Sequence, residues 1–510
     1  MQYLRELSKI ITEFPKQRED VVGTSPFGRP NDQSLKLLTG IRTGRYTNDQ
    51  TAVTDIYGDL SAQGSYAVLK SRLRTRLLNT LFVLDPKPPE YSKNTQAFYQ
   101  CQKGLFWSSV LLRFGARNIG VKIAESTLGA ARENQFTSIA LELLFYLRGH
   151  YALIGSEKQY EQTDYELKRT FRMLEAEHTS REYFERITIK FAKTEAEQPE
   201  VASLARKYSD ELDELRKQFD NYTVNLYFYR LRTLAFQIAQ EYKETIALCE
   251  EAEEYLRAHA SLAPGARLGE FALKKLVCYL QLRDYEQGKK TVNQCAELFP
   301  IGSNNWFTYM EYFFFLSMHT AHFEEANSVF MTVTNHPRFV SLPEQTQETW
   351  KIFELYLRYV FQGGEPQVQH VGSKSSRSID RRRILRMVPT YSRDKQGYNI
   401  AILVIHILYL LDQHDLAGIM DRMEALKAYR TRYLKMSTNR QSALFFKLLL
   451  IMETNSFDYQ LTKNKSEKYY KELLNTTPNS GEFMECLQVL PFNWLWPRVL
   501  EKLKEIRKAE

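Results

Sequence analysis

Apolar residues recur along most of this chain at intervals of three and four, the period of helices that bury one stripe. The first segment sets the pattern: Leu4, Leu7, Ile11 and Phe14 share a stripe, and Pro15 ends it. The residues PKQREDVVGTSPFGRPND predict a loop from their Pro, Gly and Asp content. Three helical pieces follow, SLKLLTGIRTGRY, TNDQTAVTDIY and SYAVLKSRLRTRLLNTLFVLD, and predict a compact unit over about 34–84. Thr47 and Gln50 have capping-box spacing at the head of the second piece. The Pro-rich PKPPEY closes that unit. A boundary is therefore expected near residue 90, dividing an N-terminal helical unit (1–90) from a longer helical array (91–510).

Within the array, three segments between about 222 and 337 align with one another: YRLRTLAFQIAQEYKETIALCEEAEEYL, FALKKLVCYLQLRDYEQGKKTVNQCAELFP and YMEYFFFLSMHTAHFEEANSVFMTVTNHP. Each reads as a helix, a polar corner carrying an aromatic (Tyr242, Tyr285, Phe323) and a second helix. Ten positions past each aromatic stands a small or apolar residue, Ala252, Cys295 or Val333, and the last two segments end at Pro300 and Pro337. A lone helical hairpin cannot bury its apolar face, so packing positions recur wherever hairpins stack. This arrangement resembles the tetratricopeptide repeat, whose second helix starts at an aromatic corner and ends at a proline. The resemblance implies an all-α solenoid of stacked hairpins behind a small N-terminal helical domain. The aromatic corners lie 43 and 38 residues apart, and Thr233, Leu276 and Phe314 occupy the usual small-residue position, so these units are longer and bulkier than regular repeats.

A further hairpin is expected over 397–434, with its corner at Asp415 and Leu416. Between 163 and 220 the predicted helices are long and charged, which suits solvated faces or a protruding hairpin. FNWLWPRVLEKLKEIRKAE predicts a final helix that caps the array, entered through aromatics and Pro497.

Composition agrees with helices that pack on helices: 43% of the 510 residues are hydrophobic, and only 22 Gly and 16 Pro interrupt them. The net charge of +8 is a mild bias over this length and identifies no polyanion partner by itself. Five cysteines lie far apart with no Cys-x-x-Cys pair, as expected for buried thiols in a reducing compartment. Arg5, Glu6 and Lys9 stand where a secretory signal needs an apolar run. The longest apolar stretch, Ile400 to Leu411, falls short of a bilayer span. A cytoplasmic protein without a membrane span is expected.

No phosphate-cradling loop, dinucleotide fingerprint or nucleophile elbow is present, so neither a catalytic residue nor a cofactor is expected. His319 and His322 have helical spacing but no third ligand, and read as structural rather than metal-binding. His406, inside ILVIHILYL, reads as a core histidine. Two basic clusters carry more information. Lys70, Arg72, Arg74 and Arg76 project from a helix whose buried stripe is Tyr66, Leu69, Leu73 and Leu77. AVTDIYGD followed by SYAVLKSRLRTRLL resembles the helical part of winged-helix DNA-binding domains, which implies DNA contacts from those four cations. No wing hairpin follows, and the competing reading is a solvated helix leading into the first repeats. The second cluster, SKSSRSIDRRRILRMVPTYSRDK, includes Arg381, Arg382, Arg383 and Arg386. It suits nucleic acid, an acidic tail or a phosphorylated partner, or simply a solvated entry into the next hairpin.

In tetratricopeptide-like solenoids the inner face takes a peptide on the first helix of each hairpin, which makes Tyr227, Arg230, Lys274 and Lys275 candidate partner contacts. Across its length the chain resembles a group of helical-repeat proteins from Bacteroidota-type bacteria, through VLKSRLRTRLLNTLFVLD, VPTYSRDKQGYNIAILVIHILYLL, DRMEALKAYRTRYL and LPFNWLWPRVLEKL. That resemblance implies the fold and no particular chemistry. The expected function is a non-catalytic scaffold for a protein or peptide. The alternative is a regulator whose N-terminal unit contacts DNA.

Overall fold

A computed structural model describes residues 2–12, 32–83, 92–193, 198–262, 265–362, 398–433, 440–476 and 488–509. Their regular structure is entirely helical, and no strand occurs among the described residues. The chain divides into two compact units, Met1–Glu175 and Ala176–Glu510, and the division falls inside one long helix. The expected boundary near residue 90 lies outside the described residues.

The first unit begins with α1 (Gln2–Thr12), α2 (Asp32–Arg42), α3 (Asp49–Tyr57), a 3-10 turn (Leu60–Ala62) and α4 (Gln63–Val83). Leu4 and Leu7 of α1 join Leu37, Leu73, Leu77 and Tyr46 in one apolar cluster, so α1 packs on α2 and α4. The cap of α3 is Asn48, whose side chain accepts the Thr51 N–H at 2.9 Å. It lies one residue past the expected Thr47, because the Asn48 carbonyl reaches a free first-turn amide. Gly58, at φ +81°, ends α3 where a left-handed residue is required, and Asp59 caps the turn that follows.

The rest of the first unit is α5 (Lys93–Arg113), α6 (Arg117–Glu133), α7 (Thr137–Leu153) and the start of α8 (Glu157–Lys193). Their corners share one hydrogen-bond pattern. At the first, Ala116 N donates to Leu111 O across Gly115; at the second, Phe136 N donates to Ala131 O across Gln135; at the third, Ser156 N donates to Tyr151 O across Gly155. The intervening residue has positive φ each time. This six-to-one bond with a left-handed residue satisfies the last carbonyls of one helix and turns the chain straight into the next.

The same corner recurs in the second unit across Gln240, Arg283, Ala321 and His414. There α9 (Gln198–Gln218) is followed by α10 (Tyr222–Ile238), α11 (Tyr242–Ala258), α12 (Gly265–Leu282), α13 (Tyr285–Leu298), α14 (Asn304–His319) and α15 (Phe323–Thr334), which each pack on the helix before, and α12 also packs on α14. Tyr242, Tyr285 and Phe323 are the first residues of α11, α13 and α15. Ala252, Cys295 and Val333 are fully buried one face further on. Thr233, Leu276 and Phe314 are buried as well, so bulk at the usual small position is absorbed into the helix–helix contact.

Past a 3-10 turn (Pro337–Ser341) come α16 (Glu344–Gln362), α17 (Tyr398–Asp412), α18 (Leu416–Tyr433), α19 (Arg440–Thr454), α20 (Tyr459–Asn475) and α21 (Phe492–Ala509). One hydrophobic core runs from Ala272 of α12 to Ile506 of α21. Helix α17 is buried on every side, which its uniformly apolar sequence requires. The hydroxyls of Tyr356 and Tyr409 donate to the Ala401 and Leu355 carbonyls, at 2.8 and 3.3 Å, and so tie α16 to α17. Pro497 lies inside α21 and cannot donate to the Asn493 carbonyl; the Tyr470 hydroxyl donates to it instead at 3.1 Å. Among the described residues no helix is long and apolar enough to cross a membrane.

Candidate functional site

Helix α4 is held against α3 by Asp49, which accepts from the Tyr66 hydroxyl at 2.9 Å and from Lys70 at 2.8 Å. Lys70, the first of the sequence-predicted cations, is therefore occupied within the fold. Arg72 and Arg74 are exposed and pair with no acid among the described residues. Arg76 is half-buried. Of the second predicted cluster, Arg381, Arg382, Arg383 and Arg386 lie outside the described residues.

The four predicted partner contacts on α10 and α12 are drawn into interactions within the chain. Arg230 is gripped by Glu270, with Nε 2.9 and 3.2 Å from its two carboxylate oxygens, and its guanidinium lies over the rings of Tyr227 and Phe184. Lys274 donates to the Thr233 hydroxyl at 2.8 Å, and burial lowers the pKa of its amine. Lys275 is buried, with Nζ 2.9 Å from Glu253, an acid that also holds Arg257 and Gln294. A buried pair of this kind fixes the register of α11 against α12 more than it adds stability. Removing one partner strands the other charge in the core.

The two histidines expected to be structural also have partners nearby. His319 Nε2 lies 2.7 Å from the Gln488 carbonyl, and burial holds its imidazole down to about 3. The His322 ring stacks on Tyr285 at 3.4 Å between centroids. His406 is buried on α17.

A concave surface lined by aromatics lies on the first unit. A cleft of about 730 Å³ is bounded by α4, α5 and α7, and its walls include Leu78, Phe98, Phe106, Lys103, Glu142 and Tyr146. Phe98 and Phe106 remain 43% and 51% exposed although they lie on regular, well-packed helices. Phe98 is steadied edge-on by Phe136 at the α6–α7 corner, with centroids 5.5 Å apart. Behind the cleft, Leu143, Leu144 and Leu147 of α7 pack with Ala124 and Leu128 of α6, and the Tyr151 hydroxyl donates to Glu125 at 2.8 Å. The aromatic wall thus stands on a firm backing.

Sequence reasoning did not single out these residues. The available signal was an apolar set on α5, including Phe98, Leu105 and Phe106, too broad for one buried stripe. A second, smaller cleft of about 390 Å³ lies between α5 and α6 beside Trp107 and Lys122, where Gly104 lets Thr127 approach the α5 backbone. No family model, no curated protein and no solved structure matches this chain.

Proposed function

We propose that the chain is a non-catalytic, tetratricopeptide-like scaffold that holds a segment of another protein in the cleft of α4, α5 and α7. The carrying observation is the placement of large aromatics at the surface of helices whose other faces are packed. Apolar surface of this kind is costly in water and marks a place that another molecule covers. Phe98, Phe106 and Leu78 offer apolar anchorage, while Lys103, Glu142 and Tyr146 supply a polar rim. That combination suits the apolar face of a short amphipathic helix with anchors one turn apart. The tetratricopeptide likeness rests on the repeated corner and on the aromatics that open α11, α13 and α15. The buried free thiols of Cys101, Cys249, Cys278 and Cys295 support a reducing, cytoplasmic setting.

The test is quantitative affinity capture from the native cell by the full chain and by Phe98→Ser/Phe106→Ser, with and without nuclease. A nuclease-resistant partner held by the parent chain and lost from the folded variant supports the reading. An unchanged partner set refutes it.

Exposed Arg72 and Arg74 favour a second reading, in which α4 contacts DNA phosphates. Duplex affinity at low salt would then fall steeply in Arg72→Glu/Arg74→Glu. Absence of duplex binding by the parent chain discards this reading.

A further inference from the structure

The corner that joins successive helices is one backbone motif throughout, but its side chains differ between the units. In the second unit the residue before the left-handed position is Ala239, Leu282, Thr320, Gln413 or Asn455, and of these five Leu282 is the one large apolar side chain, 40% exposed. In the first unit Phe114 precedes Gly115 and Ile154 precedes Gly155, with nearly identical backbones (φ −90°, ψ 10° and φ −91°, ψ 3°). Phe114 is 82% exposed and Ile154 57%, and they are joined by Leu153 at 68% and Ile119 at 53%. Helices α5 and α7 run in the same sense, separated by α6, and pack on each other, so both apolar corners lie at the same end of the hairpins.

These side chains are tips rather than walls, since Phe114, Ile119, Leu153 and Ile154 line neither cleft described above. Arg113, Arg117 and Lys122 flank the first corner, all exposed and none paired with an acid among the described residues. Glu157 and Lys158 at the second corner offset each other, which leaves the edge cationic. A protein pocket would need a shaped recess for every tip. An anionic bilayer surface needs only apolar tips and cations on one edge.

We propose that this edge docks reversibly on an anionic membrane surface. Phe114, Ile119, Leu153 and Ile154 enter the headgroup region, and Arg113, Arg117 and Lys122 meet the lipid phosphates. Nothing in the docking requires the cleft of α4, α5 and α7, so the two surfaces are tested separately.

The experiment is flotation of the full chain with vesicles of phosphatidylglycerol and phosphatidylcholine, against vesicles of phosphatidylcholine alone, at low salt. The parent chain partitions onto the anionic vesicles. Phe114→Ser/Ile154→Ser weakens that partition by about tenfold, and Arg113→Gln/Arg117→Gln by about fivefold for each cation removed. Arg72→Gln/Arg74→Gln on α4 leaves it unchanged. Circular dichroism confirms that each variant is folded, and the arginine pair serves if the apolar pair is not. Failure of the parent chain to float, flotation of both edge variants equal to the parent's, or loss in the α4 variant overturns the proposal. So does a change confined to self-association.

Discussion

Phe106 and Phe314 are the same residue on two helices of one fold, and they have opposite fates. Phe314 of α14 is fully buried, stacked on Phe353 at 4.4 Å and met edge-on by Trp350 at 5.7 Å. Phe106 of α5 lines an open cleft. The same contrast holds for charge. The second unit buries ions in pairs such as Lys275 with Glu253, whereas Arg72 and Arg74 of the first unit meet solvent. In the second unit aromatics and ions hold helices to one another. In the first, Phe98 and Phe106 are left half-exposed, where apolar surface costs solvation unless something covers it. Stacked hairpins can divide labour in this way because each is stabilised mainly by its neighbours, so one stretch can stay open while another is sealed.

The sharpest way to break the comparison is to empty the sealed region. Trp350→Ala, in the ring of Phe314, Phe330 and Phe353, is expected to cost about 4 kcal/mol in urea unfolding of the second unit. Next comes the buried ion pair. Glu253→Ala leaves Lys275 charged in the core and is expected to cost about 3 kcal/mol by the same measurement.

Titration gives a smaller, signed effect. Burial lifts the Glu311 carboxyl of α14 from 4.5 to about 7. The unfolded chain therefore loses that proton first, and this contribution is complete below about 4.5 and declines as pH rises through about 7. Glu311→Gln should flatten the decline, gaining about 2.5 kcal/mol at about pH 8 relative to about pH 5. His319 has the opposite sign. Its folded value of about 3 lies below the ordinary 6.5, so its contribution is whole above 6.5 and is lost as pH falls toward 3. The smallest expected change in stability is in the open region. Phe98→Ser/Phe106→Ser should cost about 1 kcal/mol per half-exposed ring in urea while losing the captured partner.

Much of the helical framework was legible because its signals are local. Tyr242, Tyr285 and Phe323 mark helix starts through chemistry that a few neighbouring residues carry, and Ala252, Cys295 and Val333 mark the buried face through spacing. Who pairs with whom was not legible. Arg230 finds Glu270 and Lys275 finds Glu253 across adjoining helices, and nothing in a run of mixed charges says which cations will be spent inside the chain. Tyr227, Arg230, Lys274 and Lys275, expected as partner contacts, each have interactions within the chain that spacing did not reveal. The exposure of Phe98 and Phe106 was hidden for a related reason. An aromatic at helical spacing has the same pattern whether a neighbouring helix covers it or leaves it open.

The most direct test is a matched pair of substitutions, Phe106→Ser and Phe314→Ser, compared by urea unfolding of the full chain. The account predicts a loss of about 1 kcal/mol for the first, whose ring is half-exposed, and of at least about 3 kcal/mol for the second. Equal losses would contradict it, because both rings would then be serving the fold.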